Sequence, residues 1–315
     1  PSALRGLTSL CHLFLSQNDI RSLQADTFSG LPSLIELELR RNPLKKLPAG
    51  IFNDLPALRA VNLVSTKLAA LPTQAFLANP ELQIVDIRSN NFATLPADVF
   101  AGVSGLVSAR LANNEITALP RALFAGMRAL LEVTLHDNRL TSLEPGMFDD
   151  ATRLKNLYLQ RNRITALPAS LLVGPKDSIE RLYIGSNRLT TIDAVIQGLT
   201  RIVSLSAIEN AITRVDAPLA FDHLETLDLS GNPLAALPDV SGLPVLRNLH
   251  VHDHLMASMD LTAVFALPHL ESLRIAARPH MSAVATGTVS AVPPSTSSSS
   301  STSSSSSSSS SSAAL

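Results

Sequence analysis

Residues 34–44 read LIELELRRNPL, with Leu34, Leu37, Leu39, Asn42 and Leu44 at fixed spacings. Positions 36, 38 and 40, which alternate with the central leucines, all carry charged side chains. Side chains of a β-strand point alternately to its two faces, so the leucines lie on one face and the charges on the other. The stretch therefore predicts a short, half-buried strand that ends near Asn42.

The same spacing recurs along the chain, mostly every 24 residues. The first leucine-type positions of twelve copies are Leu10, Leu34, Leu58, Leu82, Leu106, Leu130, Leu154, Ile179, Ile202, Leu224, Leu246 and Leu270. A phenylalanine recurs at the same interval, at Phe28, Phe52, Phe76, Phe100, Phe124 and Phe148. One copy cannot bury its own leucines, so the sequence predicts a stack of repeats with one continuous core.

The repeated pattern L-x-x-L-x-L-x-x-N-x-L, followed by Leu-Pro and then by phenylalanine, resembles the leucine-rich repeat family. The resemblance is to its 24-residue typical class, which is common in Toll-like receptors, Slit-type proteins and small matrix proteoglycans. It extends from Leu7 to about Arg278. It implies an α/β solenoid of about twelve repeats, a horseshoe with a parallel β-sheet on the concave face and irregular or 3-10 structure on the convex side.

Two columns of side chains are expected to hold the repeats together. The repeated asparagine lies where the chain leaves the strand, and its amide can both donate to and accept from the backbone of neighbouring turns. The phenylalanines are expected to stack behind the sheet and to fill the convex side.

The ends of the chain depart from the repeat. Leu4 lies 24 residues before Phe28, so the chain is expected to begin inside a truncated repeat. Residues 1–281 are predicted to form the solenoid, and the Ser-rich residues 282–315 are predicted to be a disordered tail, because such a composition cannot form a core. The tail is either an O-modified stalk or a low-complexity run without a function.

Composition and motifs exclude several classes of protein. The 315 residues carry a net charge of −1, with no basic excess of the kind that nucleic-acid binding requires. A single cysteine excludes an internal disulfide framework, and no apolar run reaches the length of a membrane span. No phosphate-binding loop, nucleophile elbow or zinc-protease motif occurs. We therefore expect no enzyme activity and no cofactor.

One histidine cluster raises the alternative of a metal site on the concave face. His250 and His252 are expected on the concave face beside Asp228 of the preceding strand, which resembles part of a His/carboxylate metal site. His254 replaces the repeated asparagine and is expected to point inward. Two or three ligands fall short of a closed site, so the prediction is ordinary histidines and no metal.

A second cluster is the better candidate for a binding site. The only two tyrosines, Tyr158 and Tyr183, are predicted at the same outward position of adjacent strands, and interfaces are enriched in tyrosine and arginine. The predicted ligand-binding residues of the concave face are Arg110, His136, Tyr158, Gln160, Arg161, Arg181 and Tyr183. The alternative is that the tyrosines only favour strand structure and stack on each other.

The predicted function is a non-enzymatic module that binds a protein or glycan ligand on the concave face. The family resemblance and the Ser-rich tail favour a secreted or cell-surface ectodomain. The alternative is an intracellular scaffold or regulator, which the lack of an N-x-S/T sequon and of disulfide caps favours. Neither nucleic acid nor a membrane span is expected.

Overall fold

The computed structural model describes residues 4–277. These residues form twelve short strands, and every pair of successive strands is parallel and in register. The strands are β1 (His12–Phe14), β2 (Glu36–Glu38), β3 (Ala60–Asn62), β4 (Ile84–Asp86), β5 (Ser108–Arg110), β6 (Glu132–Thr134), β7 (Asn156–Tyr158), β8 (Arg181–Tyr183), β9 (Ser204–Ser206), β10 (Thr226–Asp228), β11 (Asn248–His250) and β12 (Ser272–Arg274). The predicted leucine-rich repeat horseshoe, with its parallel concave sheet, is confirmed.

Little regular structure connects the strands. The convex side contains a 3-10 turn at Arg121–Phe124 and two one-turn helices, α1 (Asp193–Ile196) and α2 (Thr262–Phe265). No helix within residues 4–277 is long and apolar enough to cross a membrane. The predicted tail, the boundary at residue 281 and Arg278 lie outside the described residues.

The middle residue of each strand points into the core. Leu37, Leu157 and Leu227, for example, are fully buried. Leu13 of β1 and Leu273 of β12 are less buried, because each terminal strand has a neighbour on one side only. The phenylalanines pack behind the sheet as expected, and the ring centroids of Phe52 and Phe76 lie 5.2 Å apart.

The repeated asparagines form the predicted ladder. Asn138 donates its amide to the carbonyls of Leu111 and Leu135, both at 3.0 Å, and accepts from the backbone N–H of Ile116 at 3.0 Å. Each such amide satisfies backbone groups of two successive repeats, which have no helix or strand partner. Asn18 in the first repeat differs, because it is exposed and bonds only the carbonyls of Leu15 and Ser16.

A buried asparagine on the convex side was not predicted. Asn79 donates to the carbonyls of Phe52 and Leu55, at 2.9 and 2.8 Å, and is completely buried. It lies outside the 24-residue asparagine spacing, so the periodicity gave no signal for it.

The strand register arranges the outward side chains in rows across the sheet. We call the last residues of the twelve strands the central row; its members are Phe14, Glu38, Asn62, Asp86, Arg110, Thr134, Tyr158, Tyr183, Ser206, Asp228, His250 and Arg274. Because strands in a sheet lie about 4.8 Å apart, neighbours in this row are in direct contact range. Any binding site on the concave face is therefore built from side chains of successive repeats.

Candidate functional site

The two tyrosines stack in the middle of the central row. Tyr158 and Tyr183 are register partners of β7 and β8, and their ring centroids lie 5.3 Å apart with the planes inclined by 55°. Both side chains are partly exposed. The in-register pairing of the two strands imposes this contact, and it presents a continuous aromatic surface.

His136 extends the aromatic surface. It lies two residues beyond the end of β6, and its ring forms a T-shaped contact with the ring of Tyr158, at a centroid distance of 6.4 Å and an angle of 74°. Burial lowers the pKa of His136, so the imidazole is neutral near pH 7. Burial also raises the pKa of Tyr158, which keeps its hydroxyl protonated. His136 and Tyr158 therefore carry no charge at physiological pH.

Arginines and carboxylates next to this surface balance one another. Arg88 Nη2 lies 2.7 Å from Asp86 Oδ2, and Arg110 Nη1 lies 3.8 Å from the same oxygen. Arg110 Nε is also 3.4 Å from Glu132 Oε1. Two guanidinium groups therefore face two carboxylates, and this part of the sheet has little net charge.

A depression opens where a small side chain stands between two large ones. Thr134 lies between Arg110 and Tyr158 in the central row, and only 9% of its surface is exposed. The depression has a volume of about 450 Å³. We call it the Thr134 depression; its lining residues are Arg88, Arg110, Glu132, Thr134, His136, Tyr158 and Gln160.

The structure brings together part of the predicted site. Arg110, His136, Tyr158 and Gln160 line the depression, and Tyr183 stacks on its aromatic wall. The two remaining predicted residues, Arg161 and Arg181, do not line it. Arg161 faces Asp137 at 3.6 Å and is largely exposed, whereas Arg181 bonds Asn156 at 3.2 Å and faces Glu180.

Three lining residues were missed by the sequence analysis. Glu132 and Thr134 are outward residues of β6, and Arg88 lies two residues beyond β4. The repeat places all three on the concave face, so the periodicity contained the signal for their position. It contained none for the depression, which depends on the sizes of adjacent side chains.

The histidine cluster assembles only in part. His250 Nδ1 lies 3.5 Å from Asp228 Oδ2, as the shared row predicts, while His252 faces Asp253 at 3.1 Å. His254 is buried, as expected, and its Nδ1 accepts from the backbone N–H of Met256 at 3.1 Å. Within residues 4–277, no group of three or more His, Cys, Asp or Glu side chains is arranged to hold a metal ion.

His250 also makes a contact that the sequence did not indicate. Its Nε2 lies 3.2 Å from Ser272 Oγ of β12, so Asp228, His250 and Ser272 form a line across three strands. The order resembles that of an acid–histidine–serine relay. However, the backbone N–H of Ser272 donates to the carbonyl of Arg247 at 2.8 Å, which leaves it unavailable to stabilise an oxyanion.

Comparisons with known proteins agree with the fold. One sequence profile described as leucine rich repeat matches residues 1–44, 104–164 and 152–212, and a second of the same description matches residues 223–249. No curated protein matches the chain by sequence.

Solved structures show the same architecture. A leucine-rich repeat protein of Leptospira interrogans superposes with a TM-score of 0.76 at 27% identity, over 87% of this chain and 68% of that protein. Toll, from the Toll–Spatzle complex of Drosophila, superposes with a TM-score of 0.66 at 25% identity, over 80% of this chain and 37% of Toll.

YopM of Yersinia enterocolitica superposes with a TM-score of 0.62 at 27% identity, over 84% of this chain and 50% of YopM. The chain thus spans half or less of the length of Toll and YopM. The profile matches, the twelve parallel strands and the asparagine ladder lead to one conclusion: the chain belongs to the leucine-rich repeat family.

Proposed function

We propose that this protein is a non-enzymatic recognition module that binds a protein or glycan on its concave face, with Tyr158 and Tyr183 as the anchoring side chains. The observation that carries the proposal is their stacked, partly exposed contact at 5.3 Å beside the Thr134 depression. Tyrosines bring large, rigid contact area with a polar tip, and interfaces are enriched in them.

The architecture supports a binding role for this face. The inward leucines and the asparagine ladder hold the fold together, so the outward rows are free to vary without loss of the core. Toll, which is similar in structure, forms a complex with Spatzle. The mixed charges around Arg110 favour a protein or glycan over nucleic acid, which would require a basic stripe.

We propose that the protein acts outside the cell or at the cell surface, because its repeats resemble the typical class. An intracellular scaffold or regulator is the second candidate, favoured by the lack of an N-x-S/T sequon among its asparagines.

We also propose that the protein is not an enzyme. Among the described residues, the line of Asp228, His250 and Ser272 comes closest to a catalytic relay, but the backbone N–H of Ser272 is not free to act as an oxyanion donor.

The experiment is a screen of the purified chain against arrays of extracellular proteins and of glycans, with Tyr158→Ala and Tyr183→Ala as the test variants. Phe14→Ala is the matched control, because Phe14 is an exposed aromatic residue of the same central row, six strands away from Tyr158. We expect both tyrosine variants to bind the ligand more weakly than wild type does, and the Phe14→Ala control to bind it as tightly as wild type. Undiminished binding to the double tyrosine variant would contradict the site.

A further inference from the structure

Three polar atoms at the Thr134 depression are buried without a hydrogen-bond partner. They are Thr134 Oγ1, His136 Nδ1 and Gln160 Oε1, and none of them has a partner among the described residues. Only three other buried side-chain atoms in residues 4–277 share this property. Buried polar groups in native proteins are nearly always bonded to protein or to ordered water, so three such atoms beside one depression indicate hydrogen-bonding capacity that a ligand satisfies once the side chains around them turn aside.

The chemistry of these atoms narrows the class of ligand. The neutral imidazole of His136 and the amide oxygen of Gln160 can each accept a hydrogen bond, and the hydroxyl of Thr134 can donate or accept. A ligand that satisfies all three needs several rotatable groups, close together, that both donate and accept. Vicinal hydroxyl groups have this property, whereas a peptide group offers one donor and one acceptor on opposite sides.

Charge and shape agree with an uncharged, ring-shaped ligand. Arg88 and Arg110 face the carboxylates of Asp86 and Glu132, which balance their charge and disfavour a sulfate or carboxylate ligand. The ring of Tyr158 forms one wall, and the negative face of an aromatic ring favours contact with the positively polarised C–H groups of a sugar. The volume of about 450 Å³ lies within the range of small-ligand sites, and the depression is open to solvent on one side.

We propose that the Thr134 depression binds a sugar residue of a neutral glycan, whose hydroxyl groups bond to Thr134, His136 and Gln160 while one face of the ring packs on Tyr158. This inference rests on the proposed function and specifies the ligand class of the same site.

The first measurement uses the full chain on an array of neutral oligosaccharides, with sulfated oligosaccharides beside them. We expect binding to neutral members. The affinity for the best of them is then measured for Thr134→Val and Gln160→Met, which remove the hydroxyl group and the amide group and keep the shape. Each is expected to weaken binding about tenfold or more, since a hydroxyl group of the sugar loses its partner.

Thr226→Val is the matched control for Thr134→Val. Thr226 is an outward residue of β10, far along the sheet, and its Oγ1 accepts a hydrogen bond from Asn248 at 3.2 Å. Its replacement is expected to lower the unfolding midpoint and to leave glycan binding unchanged. Thr134→Val is expected to weaken glycan binding and not to lower the unfolding midpoint, because the hydroxyl group of Thr134 has no internal partner to lose.

Three results would overturn the inference: no binding to any neutral glycan, binding restricted to sulfated glycans, or equal affinity of wild type and Thr134→Val. The proposed function is tested separately. If a protein ligand requires Tyr158 and Tyr183 but stays bound after enzymatic removal of its glycans, the proposed function holds and the sugar site is wrong.

Discussion

Asn90 Oδ1 accepts two hydrogen bonds from Thr66, one from the backbone N–H and one from the hydroxyl group, both at 3.0 Å. Thr66 occupies the one position in the first seven repeats where the ladder asparagine is replaced. The ladder asparagine of the next repeat, Asn90, thus bonds to the threonine that replaces the asparagine at position 66. The backbone N–H of Leu44, which would otherwise donate to an asparagine at position 66, bonds the carbonyl of Asn42 at 2.9 Å.

The ladder predicts unequal effects of two adjacent asparagines. Asn90 is buried, donates to the carbonyls of Leu63 and Ile87, and accepts from the N–H of Leu68, whereas Asn91 is exposed. Asn90→Ala should lower the free energy of unfolding by about 2 kcal/mol or more, because it leaves buried backbone groups unbonded. Asn91→Ala should change it little. Urea denaturation measures both, and equal midpoints would contradict the ladder.

The phenylalanine column predicts a larger loss from one truncation. The ring of Phe76 is fully buried and stacks between Phe52 at 5.2 Å and Phe100 at 6.1 Å. Phe76→Ala should cost about 3–5 kcal/mol of stability, through lost burial and the cavity that remains. Phe14→Ala removes a ring that is 61% exposed and should leave the urea midpoint near that of wild type. A small effect at Phe76 would show that the convex side collapses to fill the space.

His254 predicts a dependence of stability on pH. Burial lowers its pKa in the folded state, although Asp253 opposes the shift. In the unfolded chain the imidazole takes up a proton below about pH 6.5, which the folded state resists. Its contribution to stability is therefore complete above about pH 6.5 and is lost as the pH falls through the lower folded pKa.

The measurement is the urea midpoint at pH 7.5 and pH 5 for wild type, His254→Asn and His223→Asn. His254→Asn restores the residue of the ladder and should reduce the loss between the two pH values. His223 is exposed, so its replacement should leave the loss unchanged. An equal loss in all three proteins would rule out His254 as the source.

The stacked tyrosines predict non-additive effects on ligand binding. Tyr158→Ala and Tyr183→Ala should each weaken binding by about 2 kcal/mol, as anchoring residues do. Because the rings touch, the double variant should lose less than the two single losses combined, with a coupling of about 0.5–3 kcal/mol. Isothermal titration calorimetry measures the affinities of wild type, the two single variants and the double variant, which together form a double-mutant cycle. Circular dichroism checks that each variant folds. Strict additivity would mean that the tyrosines contact the ligand independently.

The Asp228–His250–Ser272 line predicts no acyl transfer. A serine-directed fluorophosphonate probe should fail to label the native chain, since the Ser272 N–H is engaged with Arg247. Mass spectrometry of the treated protein checks this. Labelling that Ser272→Ala and His250→Ala both abolish would refute the proposal that the protein is not an enzyme.

The sequence by itself determined the sheet and its rows. A repeat of nearly constant length places equivalent residues of successive strands side by side, so the contact of Tyr158 with Tyr183 and of Asp228 with His250 follows from counting. The asparagine ladder and the phenylalanine column follow from the same period. The periodicity also indicated that His254 would point inward.

Only the tertiary structure decided how the outward side chains pack and which of them pair with one another. Thr134 is buried between the larger side chains of Arg110 and Tyr158, and Arg110 is neutralised because Asp86 and Glu132 lie within reach. These outcomes depend on side-chain torsion angles, which are set by packing against residues 22 or more positions away. The repeat period fixes the position of each Cα atom, whereas contacts with the neighbouring repeats fix the positions of the side-chain tips that form the concave surface.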